Sequence, residues 1–190
     1  MNLRFLNSLG GFLVIANGDH VGRMVSVLIP ARNEQENIGK CLEALLGQDY
    51  QPLEILVLDG RSTDRTLEII WDCADNDSRV QIVDGEDLPP GWVGENWACH
   101  QLANTARGDF LLFIDADIIL SLGTISAALH EAVTMHIDLL TVMPRRTAAC
   151  IIERLLFPFM EWASFSWIPM KTAHATKSSS FCNIRAIHTL

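Results

Sequence analysis

The chain has no long uninterrupted apolar run, little charge, a single tyrosine and no Cys-x-x-Cys pair among its 190 residues. Each shortage closes off a class of protein. The apolar N-terminal stretch Leu3–Ala16 is broken by Arg4, Asn7, Ser8 and a glycine pair, which makes it too short and interrupted for a membrane span. One Arg and no clear cleavage pattern speak against a signal peptide. The five cysteines, at 41, 73, 99, 150 and 182, are odd in number and widely spaced; they read as small core residues in a reducing compartment, not as zinc ligands. Lys and Arg number 14 against 23 Asp and Glu, a net charge of −9, and an acidic body is a poor partner for a nucleic-acid backbone. Residues 145–190 reverse that balance, with six of the basic and only two of the acidic side chains, and such an end favours an anionic membrane surface. With 49% hydrophobic and 19% charged residues, the chain is a folded domain with a real core and not a disordered segment.

What is present alternates regularly. Met24–Ile29 is an apolar, β-branched run closed by Pro30, which predicts a first strand. Asn33 with Glu36 three residues later predicts a cap and capping pair, and Ile38, Cys41, Leu42, Leu45 and Leu46 repeat at helical spacing up to Gly47. Leu53–Leu58 predicts a second buried strand, then Asp59, a Ser62-Thr63-Asp64 cap cluster, and a helix with Leu67, Ile69, Ile70 and Trp71 on its apolar side. Val80–Val83 predicts a short strand, Asp84–Gly94 a turn-rich loop, and Gly94 to Ala106 a helix. The Phe110 strand, a helix over Ser121–Met135 and a strand over Asp138–Val142 complete the pattern. Strand and helix alternating in this way predict an α/β fold, a mostly parallel sheet with helices on both faces.

The stretch Phe110-Leu-Leu-Phe-Ile-Asp-Ala-Asp117 carries the most information. Five apolar residues in a row suit a strand buried on both faces, and two carboxylates follow at i and i+2, where the strand must leave the core. Ligands of open α/β sheets bind beyond the carboxyl ends of the strands. Asp115 and Asp117 there suit a hard divalent cation, Mg²⁺ or Mn²⁺, which takes oxygen ligands and bridges to phosphates. The second such triplet, Asp75-Asn76-Asp77, sits in a polar stretch and reads as a solvated turn. If the strands are parallel, three loops share one edge: Arg32, Asn33 and Glu34 on the first, Asp59 and Asp64 on the second, Asp115 and Asp117 on the fourth. Helix capping is the competing explanation for Asn33 and Asp64.

Taken together these residues resemble inverting glycosyltransferases of family 2, whose Rossmann-like fold is called GT-A. Val25-Ser26-Val27-Leu28-Ile29-Pro30-Ala31-Arg32-Asn33-Glu34 is similar to their opening strand. Leu58 to Thr66 is similar to their second nucleotide loop, and Asp115-Ala116-Asp117 to their metal-binding Asp-x-Asp. The segment Pro89-Pro90-Gly91-Trp92-Val93-Gly94-Glu95-Asn96-Trp97-Ala98 resembles the hopanoid- and carotenoid-associated members, which act on lipid-like acceptors. The resemblance implies a nucleotide-diphosphate-sugar donor. Ala31 and Glu34 would border the nucleoside, Asp59 would hydrogen-bond the base, and Pro30, Arg32 and Asp64 would belong to the donor site. Asp115 would lie by the ribose or the metal, and Asp117 would ligate Mg²⁺ or Mn²⁺. Two positions depart from the family: Gly60 stands where a second acid is usual, and Glu95 where a Lys is usual.

The tail differs in character. Sixteen of the 23 residues in Ala148–Met170 are apolar, and on a helix Glu153, Arg154, Glu161 and Ser164 gather within about a 100° arc, with Trp162 and Trp167 on the remaining surface. That composition fits a segment lying at a membrane surface or an acceptor-side helix on the sheet, and Arg145 and Arg146 suit lipid headgroups or donor phosphates. An inverting transfer needs a general base, a carboxylate past the Asp-x-Asp in the family, yet no Asp or Glu follows Glu161. His174 and His188 are the remaining candidates, so the catalytic base is unassigned and the chain reads as interrupted. The expected organisation is an N-terminal apolar segment (1–23), a nucleotide-sugar-binding domain (24–145) and an incomplete acceptor-side or membrane-proximal segment (146–190). The expected function is metal-assisted, inverting sugar transfer to a lipid-like acceptor, performed peripherally at the cytoplasmic face of a membrane. A non-catalytic nucleotide-sugar-binding domain is the alternative. A sugar nucleotidyltransferase would call for a Gly-rich basic loop after the first strand, and Pro30–Glu34 is not one.

Overall fold

The computed structural model describes residues 12–16, 23–134, 139–143 and 184–188. Its elements run Phe12–Ala16 (β1), Val25–Ala31 (β2), Ile38–Leu46 (α1), Leu53–Asp59 (β3), Thr66–Asn76 (α2) and Val80–Val83 (β4). Gly94–Thr105 (α3), Phe110–Phe113 (β5), Thr124–Thr134 (α4), Leu139–Met143 (β6) and Ile184–His188 (β7) follow. One sheet holds all seven strands in the order β4-β3-β2-β5-β1-β6-β7. β2 pairs in parallel with β3 and β5, and β3 with β4.

The residues explain why both faces are covered. Val25, Val27 and Ile29 of β2, with Ile55 and Val57 of β3, pack under Ile38, Cys41, Leu42 and Leu45 of α1, Ile70 of α2, and Ile125 and Leu129 of α4. Alternate residues Leu28, Leu56 and Phe113 turn to the opposite face, where Ala98 and Leu102 of α3 cover them. A strand apolar on both of its faces is the sequence mark of this arrangement, because successive side chains enter different layers.

The chain winds from β2 through β3 to β4, then returns across the sheet to place β5 on the other side of β2. That reversal of direction leaves a crevice between the carboxyl ends of β2 and β5, where the two connections part. The site is built at this point.

Two local expectations need correcting. β2 does not stop before Pro30; Pro30 pairs in register with Leu58 and the strand runs to Ala31. Asn33 does not cap α1, which starts at Ile38 after Asn37, without a side-chain cap. The residues read as an N-terminal apolar segment supply β1, which is antiparallel to β5 (Leu13 opposite Phe113) and to β6 (Val14 opposite Leu140). β7 pairs in parallel with β6, His188 lying opposite Met143. Among the described residues no helix is long and apolar enough to cross a membrane. Arg145, Arg146, the Ala148–Met170 stretch, Cys150, Cys182 and His174 lie outside the described residues.

Candidate functional site

The loop after β2 and the loop after β3 are sewn together by hydrogen bonds between residues some thirty positions apart. The Asn33 N–H donates to Ser62 Oγ at 2.9 Å, and Asn33 Oδ1 accepts the Thr63 N–H at 2.9 Å. The Glu34 N–H donates to Thr66 Oγ1 at 2.7 Å, and the Gln35 N–H to Asp64 Oδ2 at 3.3 Å. These bonds hold Asn33 at φ 57°, a left-handed conformation that Asn tolerates better than most residues. Local capping by Asn33 loses to this longer-range partnership.

Asp64 is used up in the same seam. Its Oδ1 accepts both the N–H (3.0 Å) and the hydroxyl (2.6 Å) of Thr66, the first residue of α2. The Thr66 hydroxyl holds its carboxyl below the usual Asp value. Asp64 does not line the crevice, so the structure separates it from the other sequence-derived donor residues. Asp59 does line it, with Oδ2 accepting the Ser62 N–H at 3.0 Å, an arrangement that fixes the carboxylate at the strand end.

The crevice has a volume of about 620 Å³. Pro30, Ala31, Arg32 and Glu34 form one wall, Leu58, Asp59, Gly60 and Arg61 the floor beside it, and Asp115, Ala116 and Asp117 the far side. The β4–α3 loop and α3 close the remaining flank with Gly85, Glu86, Leu88, Gly94, Glu95, Trp97, Ala98 and Gln101. Sequence reasoning did not place Glu86, Leu88, Trp97 or Gln101 here, although the Pro-Pro-Gly-Trp segment was the signal that pointed to this flank. Arg61 sits at φ 61° and its guanidinium pairs with the exposed Asp87 carboxylate. A Cβ at Gly60 would stand 3.3 Å from the Ala31 carbonyl and from Arg32 Cβ, so a side chain there needs these neighbours to give by a few tenths of an ångström.

The electrostatics are lopsided. Glu34, Asp59, Glu86, Glu95, Asp115 and Asp117 line the crevice against two cations, Arg32 and Arg61. Burial pushes the Asp115 carboxyl above its usual range, and the like charges of Glu95, Asp117 and Glu34 add to the shift. Neither Asp115 nor Asp117 has an ion-pair partner among the described residues. Cys41 and Cys99 lie beneath, and burial, reinforced by the nearby carboxylates, pushes both thiols up to about 12, so neither is a thiolate near neutrality.

No group of three His, Cys, Asp or Glu side chains among the described residues converges as a metal cage. The all-oxygen pair Asp115 and Asp117 nevertheless fits Mg²⁺ or Mn²⁺. Such ions are held by one or two carboxylates and complete their shell with phosphate oxygens and water.

With the geometry in view, the comparisons with known proteins are decisive on family. The model of glycosyl transferase family 2 matches residues 26–148, which includes every strand end that forms the crevice. This chain belongs to glycosyl transferase family 2. Within the family it is 36% identical over 97 residues to the 4,4'-diaponeurosporenoate glycosyltransferase of Staphylococcus haemolyticus, an alignment covering 51% of this chain and 25% of that protein. The chain therefore spans about a quarter of the length of the curated relatives it matches. Among solved structures, S. aureus TarS in complex with UDP-GlcNAc superposes with a TM-score of 0.56 and 26% identity, over 67% of this chain and 36% of TarS. The mannosyltransferase PcManGT from Pyrobaculum calidifontis, in complex with GDP-Man and Mn²⁺, gives 0.51 and 25% over 62% and 34%. The α/β fold expected from the sequence is the GT-A fold of these neighbours.

Proposed function

We propose that this family 2 glycosyltransferase moves a sugar, with inversion, from a nucleotide-diphosphate-sugar to a lipid-like acceptor at the cytoplasmic face of a membrane. The observation that carries the reading is the meeting of Pro30–Glu34, Asp59 and Asp115–Asp117 in one crevice at the sheet's switch point. The relatives' names add a carotenoid-type acceptor, and the complexes of the structural neighbours add UDP- and GDP-linked sugars as donors.

In this reading Pro30, Ala31 and Arg32 border the nucleoside and Asp59, already oriented by Ser62, accepts hydrogen bonds from the base. Glu34 stands beside them in the same wall. Asp115 and Asp117 hold Mg²⁺ or Mn²⁺, which supplies charge neutralisation for the diphosphate as it leaves. The crowding of carboxylates makes that cation necessary: an anionic diphosphate would otherwise enter a site already rich in negative charge.

Calorimetric titration of UDP- and GDP-sugars with and without Mn²⁺ tests the proposal. Binding should appear with Mn²⁺ and be lost or weakened at least tenfold in Asp117→Asn. Binding that ignores metal and survives Asp117→Asn would remove the metal role, and no binding of any nucleotide sugar would remove the donor reading.

A further inference from the structure

The turn after β3 needs a left-handed residue at position 61. The Gly60 N–H donates to the Ala31 carbonyl at 2.7 Å, and two residues on the Ser62 N–H comes back to Asp59 Oδ2 at 3.0 Å. Between these bonds the chain reverses at Arg61, at φ 61°. Glycine adopts this conformation at no steric cost, whereas a Cβ there crowds the following carbonyl. The turn therefore accounts for the backbone at Arg61 but not for its side chain.

Fold stability does not account for the side chain either. The Arg61 guanidinium pairs with Asp87 of the β4–α3 loop, and the two side chains are 77% and 88% exposed. Ion pairs this open to water contribute little to folding. Arg61 nevertheless lines the crevice, where it and Arg32 are the two cations among six carboxylates. Asp87 is not part of that lining. One of the crevice's two cations is thus tied to an anion that the crevice does not contain.

We infer that Arg61 grips the donor's diphosphate and that Asp87 is a built-in competitor for it: as the nucleotide enters, the guanidinium exchanges the Asp87 carboxylate for phosphate oxygens. The inference rests on the sugar-transfer reading and adds to its donor site one cation and the anion that holds it in reserve. Charge selects the phosphate. A guanidinium fork fits carboxylate and phosphate alike. A carboxylate-ended acceptor would only replace one singly charged group with another. A diphosphate carries more charge and offers several oxygens at once, so it displaces Asp87. The exchange is easy, because the bond that must break is an exposed one.

Calorimetry of UDP, GDP and inorganic pyrophosphate, each with Mg²⁺, tests this on the full chain. Arg61→Gly should weaken all three by about tenfold or more. Asp87→Asn should tighten all three about threefold, the scale of an exposed pair, and should change nothing once Arg61 is Gly. With Asp87→Asn already in place, Arg61→Gly should also raise the melting temperature of the ligand-free protein by about 2 °C, because the left-handed turn loses its Cβ. Affinity and stability then move in opposite directions, which a structural role does not produce. A lower melting temperature in that pair of variants, unchanged affinity in Arg61→Gly, or equal tightening by Asp87→Asn with and without Arg61 overturns the inference. So does pyrophosphate that ignores Arg61→Gly or does not bind the wild-type chain, since Arg61 would then not act on phosphate. Failure of UDP and GDP to bind the wild-type chain sinks the sugar-transfer reading instead, while the pyrophosphate series still decides Arg61.

Discussion

At the amino ends of the strands Glu54 is 2% exposed and completely engaged, whereas at the carboxyl ends Asp115 is half-buried and faces other carboxylates. Ser26 donates its hydroxyl to Glu54 Oε1, the Arg107 N–H reaches the same oxygen at 2.8 Å, and the Arg107 guanidinium pairs with Oε2 at 2.8 Å. Ser26 Oγ in turn accepts the Gly108 N–H at 2.8 Å. Burial alone would raise the Glu54 carboxyl, but these donors outweigh it and hold the group below its ordinary value. Asp115 has no such compensation and is shifted the other way. The two edges of one sheet are thus built for opposite ends. One carboxylate is neutralised by Arg107 and locks the β5 entry in place; the other meets no cation in an ion pair among the described residues.

Removing the partners at the locked edge should be the most damaging change. Glu54→Ala should cost about 3 kcal/mol in urea unfolding, because the buried hydroxyl and the Arg107 N–H lose their acceptor together. Glu54 also sets an acid limit. Its stabilisation is complete above the ordinary glutamate pKa of about 4.3 and disappears as pH falls through the lowered folded value. Glu54→Gln should therefore flatten the acid limb of the stability curve, and an unchanged limb would break the contrast between the edges. Gly108→Ala comes next, at about 2 kcal/mol, since its Cβ would meet Ser26 Oγ at 2.5 Å and Ser26 N at 2.6 Å.

At the open edge the effects should be smaller and of the opposite sign. Glu95→Lys should tighten nucleotide-sugar binding by about tenfold, ~1.4 kcal/mol, with the gain fading in high salt. Calorimetry at two ionic strengths would show it, and unchanged affinity would mean that residue 95 is turned away from the diphosphate. Asp115→Asn should leave the melting temperature unchanged or slightly higher, within about 0.5 kcal/mol, because it removes a charge that the folded state disfavours. A large loss of stability in that variant would show that Asp115 is structural after all.

Much of the open edge was readable from the chain because it is built from local runs. Leu53–Leu58, Val80–Val83 and Phe110–Phe113 are mostly apolar, and Asp59, Gly85 and Asp115, which follow these runs within two residues, line the crevice. The alternation of strand and helix then fixed which ends meet. The locked edge was not readable, because Ser26 and Glu54 look like interruptions in apolar strands until their partners 82 and 53 positions away are known. The same reason hid the work of Asn33, whose type suits a local cap and which only the fold brings to Thr63; Asp64 does bond the start of α2 locally, and the fold adds the Gln35 N–H. β1 was missed because a five-residue apolar run carries no information on which strands it will separate.

That placement of β1 has a consequence for how the molecule is made. Leu13 pairs with Phe113, about a hundred residues later in the chain. During synthesis the first strand leaves the ribosome long before either neighbour exists, while β2, β3 and β4 pair from successive segments. Pairings of such wide separation carry the largest loop-closure entropy and form slowly. The half of the sheet beyond β5 is therefore the last to assemble, and an apolar strand waits unpaired until Phe110–Phe113 arrives.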